Sequence, residues 1–317
     1  MKKKFLACLL ALTTIFSVAG CTTSTEKSSI NIASMKGPTS IGLAKLYNRS
    51  DNKETENNYN YHIYGAADEI TAGLIKGDID IAALPCNVAA TLYHKTEGEI
   101  LITGINTLGV LYVVEKGDTV NSVTDLQDQT VYSTGQGTTP EYTFNHILSK
   151  NNTEAIVAYS SEATEIVSVL ANSDSGIAVL PEPYVTIAKN TIPELRVCLD
   201  LTEEWEKVTT DSTMVTGVIV IRKSFAEENP NAVKAFLNDY KRSVEYVTDN
   251  TSGTAALLED LDIMKGNIAK IAIPNCNVVL ITGDEMETKV TSYLNVLYEA
   301  NPESVGGKAP ESGMFYK

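Results

Sequence analysis

Histidine is nearly missing from this chain: three occur in 317 residues, His62, His94 and His146. They fall in separate stretches without ligand spacing, so each reads as a surface or packing residue. No His-Glu-x-x-His run and no Gly-x-Ser-x-Gly elbow is present. The Gly-Lys-Ser/Thr of a phosphate-binding Walker loop is missing too. Basic clusters are also lacking. A formal net charge of −15 without one argues against nucleic acid as a partner, although a local pocket can differ in sign from the whole surface. After residue 20 no apolar run is long enough to span a bilayer. Tryptophan occurs once, Trp205, in the acidic stretch 201–207, where it either covers a cleft or anchors a loop. These absences leave no catalytic residue, metal or cofactor to assign, and the expectation is a protein that is not an enzyme.

What is present begins with Lys2, Lys3 and Lys4, then an apolar run from Phe5 that ends in Val18, Ala19, Gly20 and Cys21. A basic start, a short apolar region and small residues before a cleavage point mark a secretory signal. Cys21 directly after Ala19 and Gly20 resembles the bacterial lipobox, in which that cysteine is diacylated and becomes the mature N-terminus. The competing readings are an uncleaved anchor, or an ordinary signal with a chance cysteine. The expectation is a lipoprotein signal peptide over residues 1–20, lipidation at Cys21 and a Ser/Thr-rich flexible tether over 21–29. The address is the extracellular face of the cell membrane, lipid-anchored. Loss of the three lysines moves the formal charge to about −18, and nearly three hundred residues remain, enough for two domains.

Five cysteines occur. With Cys8 in the signal and Cys21 lipidated, Cys86, Cys198 and Cys276 are left. An odd number closes no disulfide framework, and the spacings fit no zinc motif. Buried free thiols are expected, with a Cys86–Cys276 bridge as the alternative.

Along the chain, short apolar strands alternate with helical stretches at the spacing of parallel βαβ units. Strands are expected at 30–33, 61–64 and 79–84, each leading into a helix, with a charged and solvated loop at 50–58. Asp78 and Asp80 flank a strand start and read as solvated. A second series follows from about Asp125, with strands at 130–132, 156–159, 177–180 and 195–199. Apolar joining strands at 108–114 and 215–221 stand on either side of this middle block, and the rest is read as nearly all helix. Two crossings imply a discontinuous first lobe, residues 30–112 and 216–317, and a continuous second lobe, 113–215. A cleft between lobes, at the carboxyl ends of parallel strands, is where ligands bind.

Four loops fall at such strand ends, each before a helix whose N-terminus exposes free N–H groups. Gly37, Pro38, Thr39 and Ser40 form the first, and Pro85, Cys86 and Asn87 the second. The third, Gly135, Gln136, Gly137, Thr138 and Thr139 before Pro140, is the most distinctive. Its glycines let backbone approach a ligand, Thr139 can cap the helix and Pro140 fits its first turn. Taken alone, the loop reads more simply as an ordinary glycine-rich turn with capping. The fourth loop brings Glu182 and Tyr184, the latter suited to stacking on a flat ligand or to core packing. Asp68 and Glu69 complement a helix dipole.

The run Asp68-Glu69-Ile70, Gly73-Leu74-Ile75-Lys76-Gly77-Asp78-Ile79-Asp80-Ile81-Ala82 resembles a segment of bacterial ABC-transporter substrate-binding proteins, of the nitrate, sulfonate and thiamine-precursor group. Pro85-Cys86-Asn87-Val88-Ala89 also matches, as does Ser122-Val123-Thr124-Asp125-Leu126-Gln127-Asp128-Gln129-Thr130-Val131, where Gln129 replaces the usual lysine. The resemblance covers essentially the whole chain after the signal. It implies an α/β, two-lobed periplasmic-binding-protein type II fold, with central sheets flanked by helices, two hinge strands and a cleft closing on one small molecule. Ligand-binding positions then fall at Gly37–Ser40, Pro85–Asn87 and Gly135–Pro140. Some relatives make the thiamine pyrimidine with a cysteine-rich motif, which this sequence lacks. The expected partners are a small polar, anionic or heterocyclic ligand, an ABC permease with its ATPase, and the membrane through the lipid, for a monomer that binds no nucleic acid. A ligand-sensing module and an extracellular enzyme on the same fold are the alternatives.

Overall fold

The computed structural model describes residues 27–317. The signal peptide, Cys21 and most of the tether lie outside the described residues. In chain order, β1 (Ser29–Met35) leads through α1 (Pro38–Ile41) and α2 (Ala44–Asp51) to β2 (Asn58–Tyr64), α3 (Ala67–Lys76), β3 (Ile81–Pro85) and α4 (Cys86–Lys95). Next come β4 (Ile100–Leu108), β5 (Leu111–Lys116), β6 (Thr130–Ser133), α5 (Thr139–Lys150), β7 (Ile156–Tyr159) and α6 (Ala163–Asn172). The middle of the chain ends with β8 (Gly176–Pro181), α7 (Tyr184–Thr191), β9 (Leu195–Asp200) and α8 (Leu201–Val208). Then follow β10 (Val215–Arg222), α9 (Lys223–Glu228), α10 (Pro230–Asp249), α11 (Thr251–Asp260), α12 (Gly266–Ala272), β11 (Val278–Ile281) and α13 (Gly283–Ala300).

Two sheets organise these elements. The first has six strands in the order β11-β4-β10-β3-β1-β2, and the second five in the order β7-β6-β8-β5-β9. Strands β1, β2 and β3 run parallel, as do β6, β7 and β8, while β10 and β5 run antiparallel to them. The parallel strands are joined by helices, as crossovers require. The second sheet has an apolar layer on each face. Val113, Val131 and Val179 join one core with Phe144 and Trp205, whereas Val114, Ala178 and Leu180 join another with α6 and α7. That alternation is the period-two signature of strands buried on both faces.

The apolar segment 108–114 was expected as one joining strand, and the structure divides it. β4 belongs to the first sheet, β5 to the second, and the chain turns at Gly109 and Val110. A Cβ on Gly109 would collide with Thr202 of α8 and lie 2.6 Å from Met214 Cε, so a larger residue here requires both side chains to shift. Three elements were not foreseen: most of β4, the helix α8 and the short strand β11. Two further expectations are corrected. The 50–58 loop buries Thr55 and Asn57, because Asn57 Nδ2 donates to Tyr59 OH at 3.1 Å and to Ala232 O at 2.9 Å. Asp80 is also buried, accepting from Arg222 Nη2 at 2.6 Å and from Asn31 N–H at 2.9 Å.

Candidate ligand-binding cleft

In the middle of the first sheet, at the end where β3 finishes, register places Gly217 opposite both Pro85 and Thr107. The loop after β1 closes over this row. Thr39 Cγ2 would lie 2.7 Å from a Cβ on Gly217, and Asn106 Oδ1 2.5 Å, so glycine is required by close approach. Asn106 Nδ2 donates to Thr39 O at 3.0 Å. Asn106, Thr107 and Thr216 are buried, and the Asn106 Oδ1, Thr107 Oγ1 and Thr216 Oγ1 atoms have no hydrogen-bond partner. Buried polar atoms without partners are costly, about 1–3 kcal/mol each, and they are what a polar ligand or ordered water satisfies. These three residues lie on strands next to Thr39, and sequence reasoning, looking only at loops before helices, missed them.

Asn87, at the start of α4, ties the two lobes together. Its Nδ2 donates to Gly137 O at 3.2 Å and to Ser304 O at 3.1 Å, and its Oδ1 accepts from Thr139 Oγ1 at 3.2 Å. Thr139 was expected to cap α5. Instead Thr138 holds the N-cap position without a side-chain cap bond, because the Thr139 hydroxyl is committed to Asn87. Thr138 Oγ1 donates to Gly135 O at 2.7 Å, which shapes the turn, and Gly135 and Gly137 both take φ +74. The Gly137 N–H is not free for a ligand, because the Glu141 carboxylate accepts from it. Gln136 and Gly137 form the exposed tip.

The remaining expected residues divide. Gly37 is buried and Pro38 half-buried beside Thr39. Ser40 is fully buried, donating to Ser34 Oγ at 2.9 Å and to Met35 O, so it braces the loop from behind. Pro85 is the N-cap of α4. Cys86 is fully buried in the core and burial pushes its thiol up, which makes it a packing residue and not a ligand contact. Glu182 likewise turns away from the cleft: its carboxylate accepts from Thr186 N–H at 3.2 Å and from Thr186 Oγ1 at 3.0 Å, capping α7. Tyr184 is half-buried, its hydroxyl pushed up first by burial and then by Glu162, with Lys36 acting the other way. Trp205 does not cover the cleft, but it does anchor a loop, its Nε1 donating to Ser212 Oγ at 3.3 Å in the segment before β10. It is buried between His146 and Tyr293, at ring distances of 5.0 and 5.2 Å. Cys86, Cys198 and Cys276 are free thiols.

Residues 38–277 match the family model described as menaquinone biosynthesis. The chain belongs to that family. The matched span runs from the loop after β1 to the edge of β11, so this family's model covers Thr39, Asn87, the glycine loop, Asn106 and Gly217. No curated protein matches the chain in sequence. Solved structures do match in fold. An ABC transporter protein from Parabacteroides distasonis is 24% identical over 92% of this chain and 99% of its own, with a TM-score of 0.77. The periplasmic aliphatic sulphonate binding protein of Escherichia coli is 13% identical over 92% of this chain and 93% of its own, at TM-score 0.72. A Candida albicans protein described as having the generic periplasmic binding protein structural fold is 11% identical, covering 90% of this chain and 92% of its own, at 0.57. The fold is therefore the periplasmic-binding-protein fold. The menaquinone-biosynthesis family member described here places no cluster of three or more His, Cys, Asp or Glu able to hold a metal among its described residues. No helix among them is long and apolar enough to cross a membrane.

Proposed function

We propose that the protein is the solute-binding component of an ABC importer, capturing a small polar, anionic or heterocyclic molecule between its lobes for a permease with its ATPase. One observation carries this reading: Asn87 of the first lobe is bonded to Gly137 and Thr139 of the second, beside the unpartnered polar atoms of Asn106, Thr107 and Thr216. A ligand that satisfies those atoms and touches both lobes binds the closed arrangement better, and so shifts the population toward it. The fold shared with ABC transporter and sulphonate-binding proteins supports the reading without deciding the solute. Under it, the protein is a monomer held by lipid on Cys21 at the extracellular face of the membrane, within reach of its permease. No bond is made or broken, and no nucleic acid takes part.

The family match favours a second reading, an enzyme of menaquinone biosynthesis. Thermal unfolding against sulfonates, nitrate, thiamine precursors, flavins, nucleobases and amino acids separates the two. A cognate solute at a hundred times its Kd adds about 2.7 kcal/mol of stability and is recovered unchanged. Chemical conversion of the bound molecule would instead establish the enzyme. No shift with any solute, and nothing co-purifying by mass spectrometry, would remove the binding reading. For the anchor, Cys21→Ser is expected to release the protein from the membrane fraction, and continued membrane retention would refute it.

A further inference from the structure

A cavity lies between the lobes, on the opposite face of the second sheet from α5. Its volume is about 440 Å3, enough for a small organic molecule. α7, β5 and β9 line it from one side, and Ile271 of α12 with Asn275 from the other. Two features define its chemistry. Glu182 lies in the wall, 3% exposed, and burial raises its carboxyl while hydrogen bonds from Thr186, the nearby Lys189 charge and a hydrogen bond from the Asn275 side chain act the other way. The apolar part of the wall is Val185, Val197 and Ile271. Val197 and Ile271 are 39% and 58% exposed, two of the five large hydrophobic residues left exposed among the described residues. A buried carboxylate, a solvated ammonium and an uncovered apolar wall therefore share one cavity.

We propose that this cavity is an accessory site for a small zwitterion with an apolar body, in chemical class an apolar amino acid. The ligand's ammonium faces Glu182, its carboxylate faces Lys189, and its side chain covers Val185, Val197 and Ile271. A zwitterion places one charge against each protein charge, which a ligand with a single charge cannot do. Neither Asn87 nor the glycine loop lines the cavity, which makes the site separate from the cleft.

Equilibrium dialysis of the purified protein with labelled L-leucine tests this, with 4-methylpentanoate and isoamylamine as competitors that each lack one charge. Leucine is expected to bind, and each competitor to bind at least about tenfold more weakly, a difference of about 1.4 kcal/mol. Ile271→Asp, at an exposed position, is expected to weaken leucine binding at least about tenfold without lowering the melting temperature. Ile75→Asp, at an exposed apolar position on α3 outside both the cleft and the cavity, is expected to leave leucine binding unchanged. Absence of leucine binding, equal binding of either competitor, or indifference to Ile271→Asp would overturn the proposal. Equal loss of leucine binding in Ile75→Asp would also overturn it, by showing that the effect of an added charge is not specific to the cavity wall.

Discussion

Asp80 precedes β3 by one residue and reads as a solvated turn residue, yet its carboxylate joins three strands. One oxygen accepts from the Asn31 N–H on β1, and the other pairs with the Arg222 guanidinium at the end of β10. The Arg222 N–H also donates to Asp80 O at 2.9 Å. With Asp80 mostly out of water, removing its partner leaves a carboxylate without its charge balance. Arg222→Ala is expected to lower unfolding free energy by about 3 kcal/mol, read from the urea midpoint with an unchanged m-value. A loss below about 0.5 kcal/mol would mean that the pair is only a surface contact. The same logic explains which site residues sequence could name. Asn87 was identifiable because it is polar and sits at a strand end before a helix. Asn106 and Thr216 were not, because nothing local separates a buried strand residue whose polar atom lacks a partner from one whose polar atom is bonded.

At the scale of elements, the start of α5 shows how one glycine differs from another. Gly135 and Gly137 share φ +74, a conformation costing a residue with a Cβ about 1–2 kcal/mol. A Cβ on Gly137 meets nothing within 4 Å, whereas on Gly135 it would lie 2.6 Å from Thr138 Oγ1 and 2.9 Å from Pro140 Cγ. Gly137→Ala is expected to lower stability by about 1 kcal/mol and Gly135→Ala by about 2–3 kcal/mol. Equal losses in chemical unfolding would contradict the crowding at Gly135. Helices and parallel strands at this scale followed from apolar periodicity and helix-start residues, as in α3, with Asp68 and Glu69 in its first turn and Gly77 closing it in a left-handed conformation. β4 escaped because both its faces are buried, so the Gly104-Ile105-Asn106-Thr107 stretch shows no alternation. β11 is four residues at a sheet edge, too short to register as a pattern.

For the whole molecule, the lobes meet not only at the cleft loops but also through aromatic packing. His146 on α5 and Trp205 on α8 pack with Tyr293 of α13, which follows the first sheet's last strand. The Thr143 hydroxyl and Tyr293 OH lie 2.8 Å apart, a hydrogen bond between the lobes besides the two made by Asn87. His146 Nε2 is buried without a partner, and its imidazole is held below its ordinary value, chiefly by burial and next by the Lys150 charge, with Glu299 opposing. An unfolded chain therefore takes up a proton near pH 6.5 that the folded chain still refuses. This contribution to stability is complete above about pH 6.5 and is lost as pH falls through that region toward the lower folded value. His94 shifts in the same direction, so the contribution of His146 has to be read as a difference between proteins. His146→Phe keeps an aromatic ring between the helices and removes the titrating nitrogen. Between about pH 7.5 and 5.5, above the ordinary carboxylate range, its urea midpoint is expected to fall less than that of the unmodified protein. An equal fall in both would show that protonation at this lobe contact does not govern the acid sensitivity of the two-lobed fold.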